Sequence, residues 1–200
     1  MTRQEFVLIV VVVMGLVGCK EDQSDSSTLD NLPADGVYST PEGSGGSYTD
    51  PIHGFFLVAP PSGFKIKERL DKTTIPVKEG FPHAGEELPR SWVDFKSGGA
   101  TIGAIARKTY QQDIEVDFNF VKNELKGRGA KIILDRYITI DGVKGGEYIV
   151  EVSGLRFHCI KYIKHDLDHS LSLGGSPRDY RRYQKNFLDF VHSYRSIKPE

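Results

Sequence analysis

Residues 131–152, KIILDRYITIDGVKGGEYIVEV, contain two runs of alternating apolar and polar residues separated by Asp141-Gly142. Ile138 and Ile140 alternate with polar residues before this dipeptide, and a second alternating run follows it. Alternation with a period of two is typical of β-strands, and Asp-Gly between two such runs is a strong signal for a two-residue hairpin turn. The stretch therefore predicts a β-hairpin at the centre of the fold.

Further strands are predicted on both sides of this hairpin. After it, Ser153-Gly154 indicates a second turn, residues 155–163 form a third strand and residues 170–173 a short fourth. Before it, the predicted strands are residues 55–59, 64–69, 92–95 and 101–106, with a turn at residues 60–63. Residues 70–90, which are rich in proline and glycine, are predicted to be one long irregular loop.

Two amphipathic helices are predicted, one before and one after this meander of strands. In the first, Asp113 is the N-cap. Its apolar residues recur at helical spacing: Ile114, Phe118, Val121 and Leu125. The second has Ser176 as N-cap and Pro177 in its first turn. Its apolar stripe consists of Tyr180, Tyr183, Phe187, Phe190, Val191 and Tyr194. The order of the elements predicts an α+β fold, with helices packed against an antiparallel sheet.

The N-terminus is predicted to be a lipoprotein signal peptide. The apolar run at residues 6–16 is shorter than the roughly 18 to 20 residues that span a bilayer. Residues 16–19, Leu-Val-Gly-Cys, have the form of a lipobox, in which Cys19 is acylated after cleavage. The alternatives are a secretory signal with a coincidental cysteine and a short uncleaved anchor. Lys20 rather than aspartate follows Cys19, and by resemblance to the sorting of Gram-negative lipoproteins this favours the outer membrane.

This interpretation divides the chain into a signal peptide at residues 1–18, an acylated cysteine with a flexible linker at residues 19–50, and one globular domain at residues 51–200. The linker is rich in serine, glycine and aspartate, so it buries too little surface to offset its ordering entropy. An ordered patch around Leu32 to Tyr38 is the alternative there. As a flexible coil the linker has a mean reach on the order of 30 Å. We therefore expect a domain that is tethered to a membrane and stands off from it.

Charge and cysteine content narrow the class of protein. The chain has 26 basic and 27 acidic residues and a formal net charge of −1, so no basic excess favours nucleic-acid binding. If Cys19 is acylated, Cys159 is the remaining thiol, and no disulfide is expected. Cys159 lies in an apolar run and is predicted to be buried and inert.

Three stretches resemble PsbP-like domains. The sequence FFLVAPPSGF at residues 55–64 is similar to their opening strand and proline-rich turn. Residues 130–132 followed by residues 140–148 resemble their central hairpin, and residues 171–194 resemble their last strand and closing helix. The resemblance covers most of residues 52–197 and implies an α/β/α sandwich around an antiparallel sheet. PsbP is an accessory protein of photosystem II, and a Ran-GTPase-binding protein shares the fold; no catalytic residue comes with the resemblance.

The most suggestive polar cluster is the segment at residues 165–169, His-Asp-Leu-Asp-His. Two imidazoles and two carboxylates could bind Zn²⁺ or Mn²⁺, which makes His165, Asp166, Asp168 and His169 the candidate metal ligands. The alternative is an ordinary polar turn between two strands. Lysines near the segment also oppose the binding of a cation.

Three further polar groups are weaker candidates. His83, Glu86 and Glu87 could complete a metal site with residues 165–169 only if the fold brings them together. Residues 174–176, Gly-Gly-Ser, could hold an anion on backbone N–H groups, but they lack the lysine and the spacing of a phosphate loop. The exposed side of the last helix is basic and could contact anionic lipid or an acidic partner. Its basic residues are Arg178, Arg181, Arg182 and Lys185.

The sequence contains no motif of a known catalytic type: no Gly-x-Ser-x-Gly, no His-Glu-x-x-His, no Cys-x-x-Cys and no dinucleotide fingerprint. We therefore expect a membrane-anchored, non-enzymatic binding or assembly domain in the cell envelope, with an envelope protein as its partner and no cofactor. One alternative is a small-ligand or metal-binding lipoprotein that uses residues 165–169. Another is a hydrolase in which His83 or His158 meets a carboxylate.

Overall fold

The computed structural model describes residues 29, 31–38, 48–68, 73–77 and 83–199. Within these ranges the chain forms two helices, α1 (Ile114–Gly127) and α2 (Pro177–Ser193). The strands in the same ranges are β1 (Val37–Tyr38), β2 (Tyr48–Thr49), β3 (Phe56–Val58), β4 (Lys65–Glu68), β5 (Thr74–Pro76), β6 (Glu87–Ser97), β7 (Ala100–Lys108), β8 (Lys131–Ile140), β9 (Val143–Val152), β10 (Leu155–Lys164), β11 (Leu167–Gly175) and β12 (Arg195–Ser196).

The strands form one large sheet and one small sheet. The order in the large sheet is β1-β8-β9-β10-β11-β7-β6-β4, with β5 also paired to β6, and the small sheet is β12-β3-β2. The pairs are antiparallel, except that β1 runs parallel to β8. Asp141 and Gly142 connect β8 to β9 with φ values of 51° and 76°, and Ser153 and Gly154 connect β9 to β10 with 52° and 75°. Two successive positive φ angles are the type I′ geometry of a tight hairpin, so the predicted meander is confirmed.

Helix α1 packs on one face of the large sheet, against β9 and β10. Asp113 caps it, because its side chain accepts a hydrogen bond from the backbone N–H of Glu115 at 2.8 Å. The buried side of the helix is the predicted stripe of Ile114, Phe118, Val121 and Leu125. The apolar cluster beneath it comprises Phe118, Val121, Leu125, Tyr148, Val150, Phe157 and Cys159.

Helix α2 packs on the opposite face of the sheet, against β10, β11 and β7. Ser176 caps it by accepting a hydrogen bond from the backbone N–H of Asp179 at 3.1 Å. The larger core on this side includes Phe95, Ile102, Ile149, Ile160, Leu171, Leu173, Tyr180, Phe187 and Phe190. Cys159 and Ile160 are neighbours in β10, so they point to opposite faces, the first toward α1 and the second toward α2. The predicted fold class is therefore confirmed: the domain is an α+β protein with an α/β/α sandwich.

The prediction of one irregular loop at residues 70–90 is wrong, because β5 lies within this stretch and β6 begins before its end. Ile75 of β5 pairs with Leu88 of β6, and both side chains are buried. The prolines made the stretch look unstructured in the sequence. Pro76 and Pro89 lie where β6 pairs with the short strand β5 and has not yet reached β7, a margin of the sheet where proline is tolerated.

Part of the predicted linker belongs to the sheet. Strand β1 pairs with the end of β8, and the backbone N–H of Thr139 donates to the carbonyl oxygen of Gly36 at 2.9 Å. The side chain of Tyr38 is only 2% exposed. The ordered patch around Leu32 to Tyr38, the alternative for this segment, is thus what the structure has, because the sheet buries a large aromatic side chain from it.

The predicted signal peptide, residues 1–18, and the predicted acylation site, Cys19, lie outside the described residues. The division of the chain into signal peptide, linker and domain stays a prediction. Within the described ranges no helix has both the length and the apolar character needed to cross a membrane.

Candidate functional site

A charged cluster lies inside the core between the sheet and helix α2, centred on Glu147 of β9. Tyr38 Oη donates to Glu147 Oε1 at 2.5 Å, and His158 Nε2 lies 2.7 Å from the same oxygen. Arg136 Nε donates to Glu147 Oε2 at 2.6 Å. Tyr180 Oη of α2 lies 3.4 Å from His158 Nδ1. The side chains of Glu147 and His158 are fully buried, whereas that of Arg136 is partly exposed, so this network joins β1, the sheet and α2 and reaches the surface only at Arg136 among the residues named here.

The surroundings of Glu147 fix its charge. Burial alone would raise the pKa of Glu147, but the hydrogen bonds from His158, Tyr38 and Arg136 outweigh burial and lower the pKa to about 2. Burial and the adjacent carboxylate raise the pKa of Tyr38, so the phenol keeps its proton and remains a donor. Both carboxylate oxygens of Glu147 are engaged. The geometry therefore gives the cluster a structural role, in which it holds Tyr38 and β1 on the sheet.

The four predicted metal ligands are not brought together. His165 and Asp166 form the turn between β10 and β11, with φ values of 57° and 59°. Asp168 and His169 are neighbours in β11, so their side chains point to opposite faces of the sheet. On the α1 face, Nε and Nη2 of Arg107 donate to Asp168 Oδ2 at 2.7 and 2.5 Å. In the part of the chain that the structure describes, no group of three His, Cys, Asp or Glu side chains could hold a metal ion.

His169 lies instead in a buried aromatic cluster on the α2 face. Its Nδ1 lies 2.9 Å from Tyr194 Oη, and its Nε2 lies 2.8 Å from Ser196 Oγ. The imidazole stacks on the ring of Tyr162, with 4.7 Å between the centroids. Burial lowers the pKa of His169 to about 4, by more than the negative charge of Asp168 raises it. The imidazole is therefore neutral near pH 7 and serves in packing and hydrogen bonding.

The weaker candidates occupy separate places. His83 lies on an exposed turn, where its ring stacks on Tyr110 with 4.3 Å between the centroids. Glu86 accepts a hydrogen bond from Tyr110 Oη at 2.8 Å, and Glu87 is the first residue of β6. Residues 174–176 end β11 and form the N-cap of α2. Each of these groups thus has a local structural role.

The basic side of helix α2 is solvent-exposed: Arg178, Arg181, Arg182 and Lys185. Lys185 Nζ lies 2.8 Å from Asp189 Oδ2, one turn further along the helix. The guanidinium of Arg182 lies 5.3 Å from the ring centroid of Tyr183. At least these two charges contact neighbours on their own helix, as is common on an exposed helix face, and a role of this surface in binding stays a prediction.

A second basic surface lies on the α1 face of the large sheet. Helix α1 covers β9 and β10 on that face, and β7, β6 and β4 lie beyond it in the strand order. In β6, the core residues Val93 and Phe95 point toward α2, so the residues between and beside them point the other way. We use the name basic face for the basic side chains on this part of the sheet: Lys65 and Lys67 of β4, Arg90 and Lys96 of β6, and Arg107 of β7. Arg90 is buried, and the acidic Asp94 lies on the same face.

The pairing register sets basic residues directly opposite one another on the basic face. Lys65 pairs with Lys96, and Arg90 pairs with Arg107. Like charges in directly opposite positions destabilise a sheet by up to about 1 kcal/mol. Arg107 is neutralised by Asp168, whereas the two lysines form no ion pair with any residue that the structure describes. Arg90 is buried, and Lys67 lies directly opposite Asp94, so the charges without an ion pair in the described part of this face are those of Lys65 and Lys96.

Polar side chains complete this part of the sheet. Trp92 Nε1 donates to Asp94 Oδ1 at 3.0 Å, so this carboxylate is already engaged. Gly103 of β7 lies beside it: a Cβ at this position would lie 3.1 Å from Asp94 Oδ1 and 3.4 Å from Ser172 Oγ. The glycine thus gives both polar side chains room to lie over β7. Trp92 and Asp94 are both buried, so this hydrogen bond lies within the sheet region rather than on its surface.

The sequence analysis named His158 as a residue that could meet a carboxylate, but it identified neither Glu147 as that carboxylate nor the basic face. The Glu147 cluster has a local signal. Glu147 lies two residues from the apolar Ile149, and His158 lies two residues from Ile160, so each polar side chain shares a strand face with a core residue. An acid and an imidazole on the core side of adjacent strands indicate a buried pair. The opposition of Lys65 and Lys96 has no such signal, since it depends on the register between β4 and β6, which residues 69–86 separate in the sequence.

No protein-family model matches this chain, and no curated protein sequence matches it. Among solved structures, the chain is similar to cyanobacterial PsbP (CyanoP) from Synechocystis sp. PCC 6803, with 15% identity, 75% of this chain and 91% of that chain covered, and a TM-score of 0.47. It is also similar to the protein of unknown function PA94 from Pseudomonas aeruginosa, with 12% identity, coverage of 68% and 99%, and a TM-score of 0.43. A third is the immunity protein TplEi of T6SS from Pseudomonas aeruginosa, complexed with a peptide, with 18% identity, coverage of 68% and 59%, and a TM-score of 0.39. PsbP is the family that the sequence motifs resemble.

Proposed function

We propose that the chain is a lipid-anchored, non-enzymatic protein of the cell envelope, whose domain binds a protein partner as an accessory or assembly module. The observation that carries the proposal is the enclosure of the reactive side chains. Glu147 and His158 are bonded to each other, and Asp168 and His169 are engaged on opposite faces of the sheet. All four side chains are buried. A catalytic acid, base or metal ligand needs access to its substrate, whereas a binding module needs only an exposed surface.

The thiol of the domain supports a non-enzymatic role as well. Cys159 lies in β10 beneath helix α1 and is buried, and burial raises its pKa to about 12. The thiolate is the nucleophilic form of cysteine, so a thiol with so high a pKa is inert at neutral pH. This agrees with the packing role expected from the apolar run around Cys159.

The lipid anchor rests on the lipobox at residues 16–19 and agrees with the place where the chain enters the fold. Residues 31–38 lie at the edge of the sheet formed by β1 and β8. An anchor at Cys19 would therefore hold the domain by this edge. Strand β4 is at the other end of the strand order, and seven spacings of about 4.8 Å place it roughly 34 Å away. The edge at β4 is thus the one far from the attachment point and accessible to another protein.

The anchor is tested by the substitution Cys19→Ala. We expect the unmodified protein in the membrane fraction, with acyl mass on Cys19 in mass spectrometry, and the Cys19→Ala protein in the soluble fraction. Cys159→Ala is the matched control and should remain with the membranes. A Cys19→Ala protein that still fractionates with membranes would show that lipid is not what holds it.

The binding role is tested by crosslinking in intact cells, followed by mass spectrometry of the crosslinked products. We expect enrichment of one envelope protein over the background given by an unrelated lipoprotein expressed at the same level. A crosslinking pattern equal to that background would contradict the binding role. Recovery of a stoichiometric small molecule in place of a protein would favour a solute-binding lipoprotein.

A further inference from the structure

We propose that the domain docks on the bilayer that holds its anchor, through exposed apolar side chains near the β1–β8 edge of the sheet. This inference rests on the lipid anchor of the proposed function and adds the surface that faces the lipid. It is carried by the distribution of exposed apolar residues, by the face of the sheet from which they project, and by the length of chain between Cys19 and the first described residue.

Exposed apolar side chains are concentrated on the half of the domain nearest the proposed anchor. In the described part of the chain, seven large apolar side chains are exposed. Two of them, Ile66 of β4 and Tyr110 after β7, lie toward the other end of the strand order. The other five lie before β1, on β1 and β8, or on helix α1, which packs over β9 and β10. We use the name anchor-side patch for these five residues: Leu29, Val37, Val116, Phe120 and Tyr137. Single exposed apolar residues are common on protein surfaces, whereas their concentration on one side indicates a contact surface.

Val37 and Tyr137 project from the same face of the sheet. Val37 pairs in register with Thr139, and Tyr137 lies two residues before Thr139 on β8, so all three side chains share a face. The ring of Tyr137 lies 5.4 Å from that of Phe118 between centroids, which identifies this face as the one that carries α1. Val37 is 43% exposed and Tyr137 is 41% exposed. Tyr38, the neighbour of Val37, points to the other face and holds β1 in place through its buried hydrogen bond. The sheet therefore presents Val37 and Tyr137 outward from a fixed edge.

The chain joins the domain close to the proposed anchor. The carbonyl oxygen of Leu29 accepts a hydrogen bond from the backbone N–H of Leu32 at 3.1 Å, just before β1. Ten residue steps separate Cys19 from Leu29, and a chain extends by at most about 3.6 Å per residue, so the acylated residue lies within roughly 36 Å of Leu29. A surface held this near its binding site has a high effective concentration. Weak apolar contacts are therefore sufficient for docking.

The chemistry of the anchor-side patch suits the boundary between lipid and water. Tyrosine combines an apolar ring with a hydroxyl group and is enriched at membrane interfaces. The ammonium group of Lys144 lies 4.3 Å from the ring centroid of Tyr137, and it is paired with Glu115. This pair carries no net charge, so the docking depends on apolar contact rather than on attraction to anionic lipid. We therefore expect docking on neutral lipid as well.

The edge of β8 is poorly suited to pairing with a strand of another protein. A β-bulge interrupts its register between Ile132 and Leu134, and the charged Lys131 and Asp135 lie on either side. Bulges and charged side chains are the features with which proteins block edge-to-edge pairing. A lipid–water interface needs no strand register, so it fits this edge better than an added strand does.

Fluorescence quenching tests the docking in the full acylated chain, reconstituted into phosphatidylcholine vesicles that contain spin-labelled lipid. Thr139→Cys introduces a site for a bimane fluorophore, since Thr139 is exposed and lies opposite Val37. Cys159 is buried and acylation blocks Cys19, so the introduced thiol is labelled selectively. Ile66→Cys places the control fluorophore on β4. We expect quenching roughly threefold or more stronger at position 139, because six strand spacings of about 4.8 Å, roughly 29 Å, separate β8 from β4.

Two pairs of substitutions in the Thr139→Cys chain locate the contact. Val37→Thr with Tyr137→Thr removes apolar surface while keeping residues that favour strands. It should weaken the quenching roughly twofold or more, because nearly half of each side chain is available to lipid. Ile66→Thr with Tyr110→Thr makes the same changes outside the anchor-side patch and should leave the quenching unchanged. The emission of Trp92, the one tryptophan of the chain and buried in β6, shows whether each variant is folded. Equal effects of the two pairs would overturn the assignment to the patch.

The outcomes separate the docking from the proposed function. A chain that floats with the vesicles but is quenched equally at positions 139 and 66, or at neither, is anchored without docking, which overturns the inference and leaves the anchor. A chain that does not float with the vesicles refutes the lipid anchor, and the docking with it. If position 139 is unquenched in vesicles yet crosslinks to one envelope protein in cells, the patch is a protein interface, and the inference is again overturned. Quenching at position 139 alone is the result we expect.

Discussion

Substitution of His169 by glutamine is expected to remove one acid-sensitive contribution to the stability of the domain. The imidazole is enclosed in the core, stacked on Tyr162, with its two nitrogens engaged by Tyr194 and Ser196. These partners accommodate a neutral ring, and a proton added to it would place an additional charge where water does not reach. Glutamine can retain a hydrogen bond at this position, and its side chain does not titrate.

The magnitude follows from the pKa of His169, which burial lowers from 6.5 to about 4. Below pH 6.5 the unfolded chain binds a proton on this residue, while the folded chain does not do so until about pH 4. The free energy of unfolding therefore falls as the pH drops through this window, by about 1.4 kcal/mol per pH unit. Between pH 7 and pH 5, the loss attributable to His169 is about 2 kcal/mol. Below about pH 4 the loss is constant.

Urea unfolding of the two proteins at pH 7 and at pH 5 measures this difference. His169→Gln should be less stable at pH 7, because the stacked ring is lost, but its stability should fall by about 2 kcal/mol less on going to pH 5. Glu147 does not interfere: its pKa is lowered from 4.5 to about 2, so its contribution is intact above pH 4.5 and is lost only between pH 4.5 and 2. The other histidines are common to both proteins. The same pH dependence in the two proteins, within experimental error, would refute the reasoning.

Three further substitutions or reactions test other parts of the structure. Tyr38→Phe removes the hydroxyl that donates to the buried carboxylate of Glu147 and should lower the free energy of unfolding by about 1.5 to 3 kcal/mol in urea titrations; a loss near zero would contradict the role of this bond. Gly146→Ala would place a Cβ in steric overlap with the Phe118 ring and should lower the free energy of unfolding by about 1 to 3 kcal/mol in the same assay; an unchanged stability would show that helix α1 does not pack on β9 at this position. Cys159 should fail to react with an aromatic disulfide reagent in the folded protein and react fully in urea, and rapid labelling without denaturant would show that the thiol is accessible.

The helices and the hairpins could be predicted from the sequence because their signals are local. Asp113 lies immediately before the apolar spacing of α1, and Ser176 immediately before Pro177, so cap and first turn adjoin in the chain. Asp141-Gly142 needs no distant partner to form its turn. In each case the residues that determine the element are the residues that form it.

The predicted metal site is wrong because the local sequence does not show where strand β11 begins. The sequence placed the last strand of the meander at residues 170–173, which left residues 165–169 as one flexible turn in which four ligands could converge. Strand β11 begins at Leu167 instead, because this side chain is fully buried in the core. Once Asp168 and His169 belong to a strand, alternation sends them to opposite faces of the sheet. The start of this strand was predicted three residues too late, and the error brought together four side chains that the fold separates.

Whether a charged residue of this sheet is buried depends on where a helix packs, and the sequence of one strand does not show this. Lys161 of β10 and Lys96 of β6 both point to the α1 face, and both stand in strands with apolar neighbours. Helix α1 covers Lys161 and supplies Asp117 as its ion-pair partner, so this lysine is buried and neutralised. The helix does not extend to β6, where Lys96 faces another lysine and has no ion-pair partner among the described residues. The same face of the sheet is therefore closed by a helix over β9 and β10, where its lysine is neutralised, and uncovered by that helix at β6, where Lys96 lies opposite Lys65.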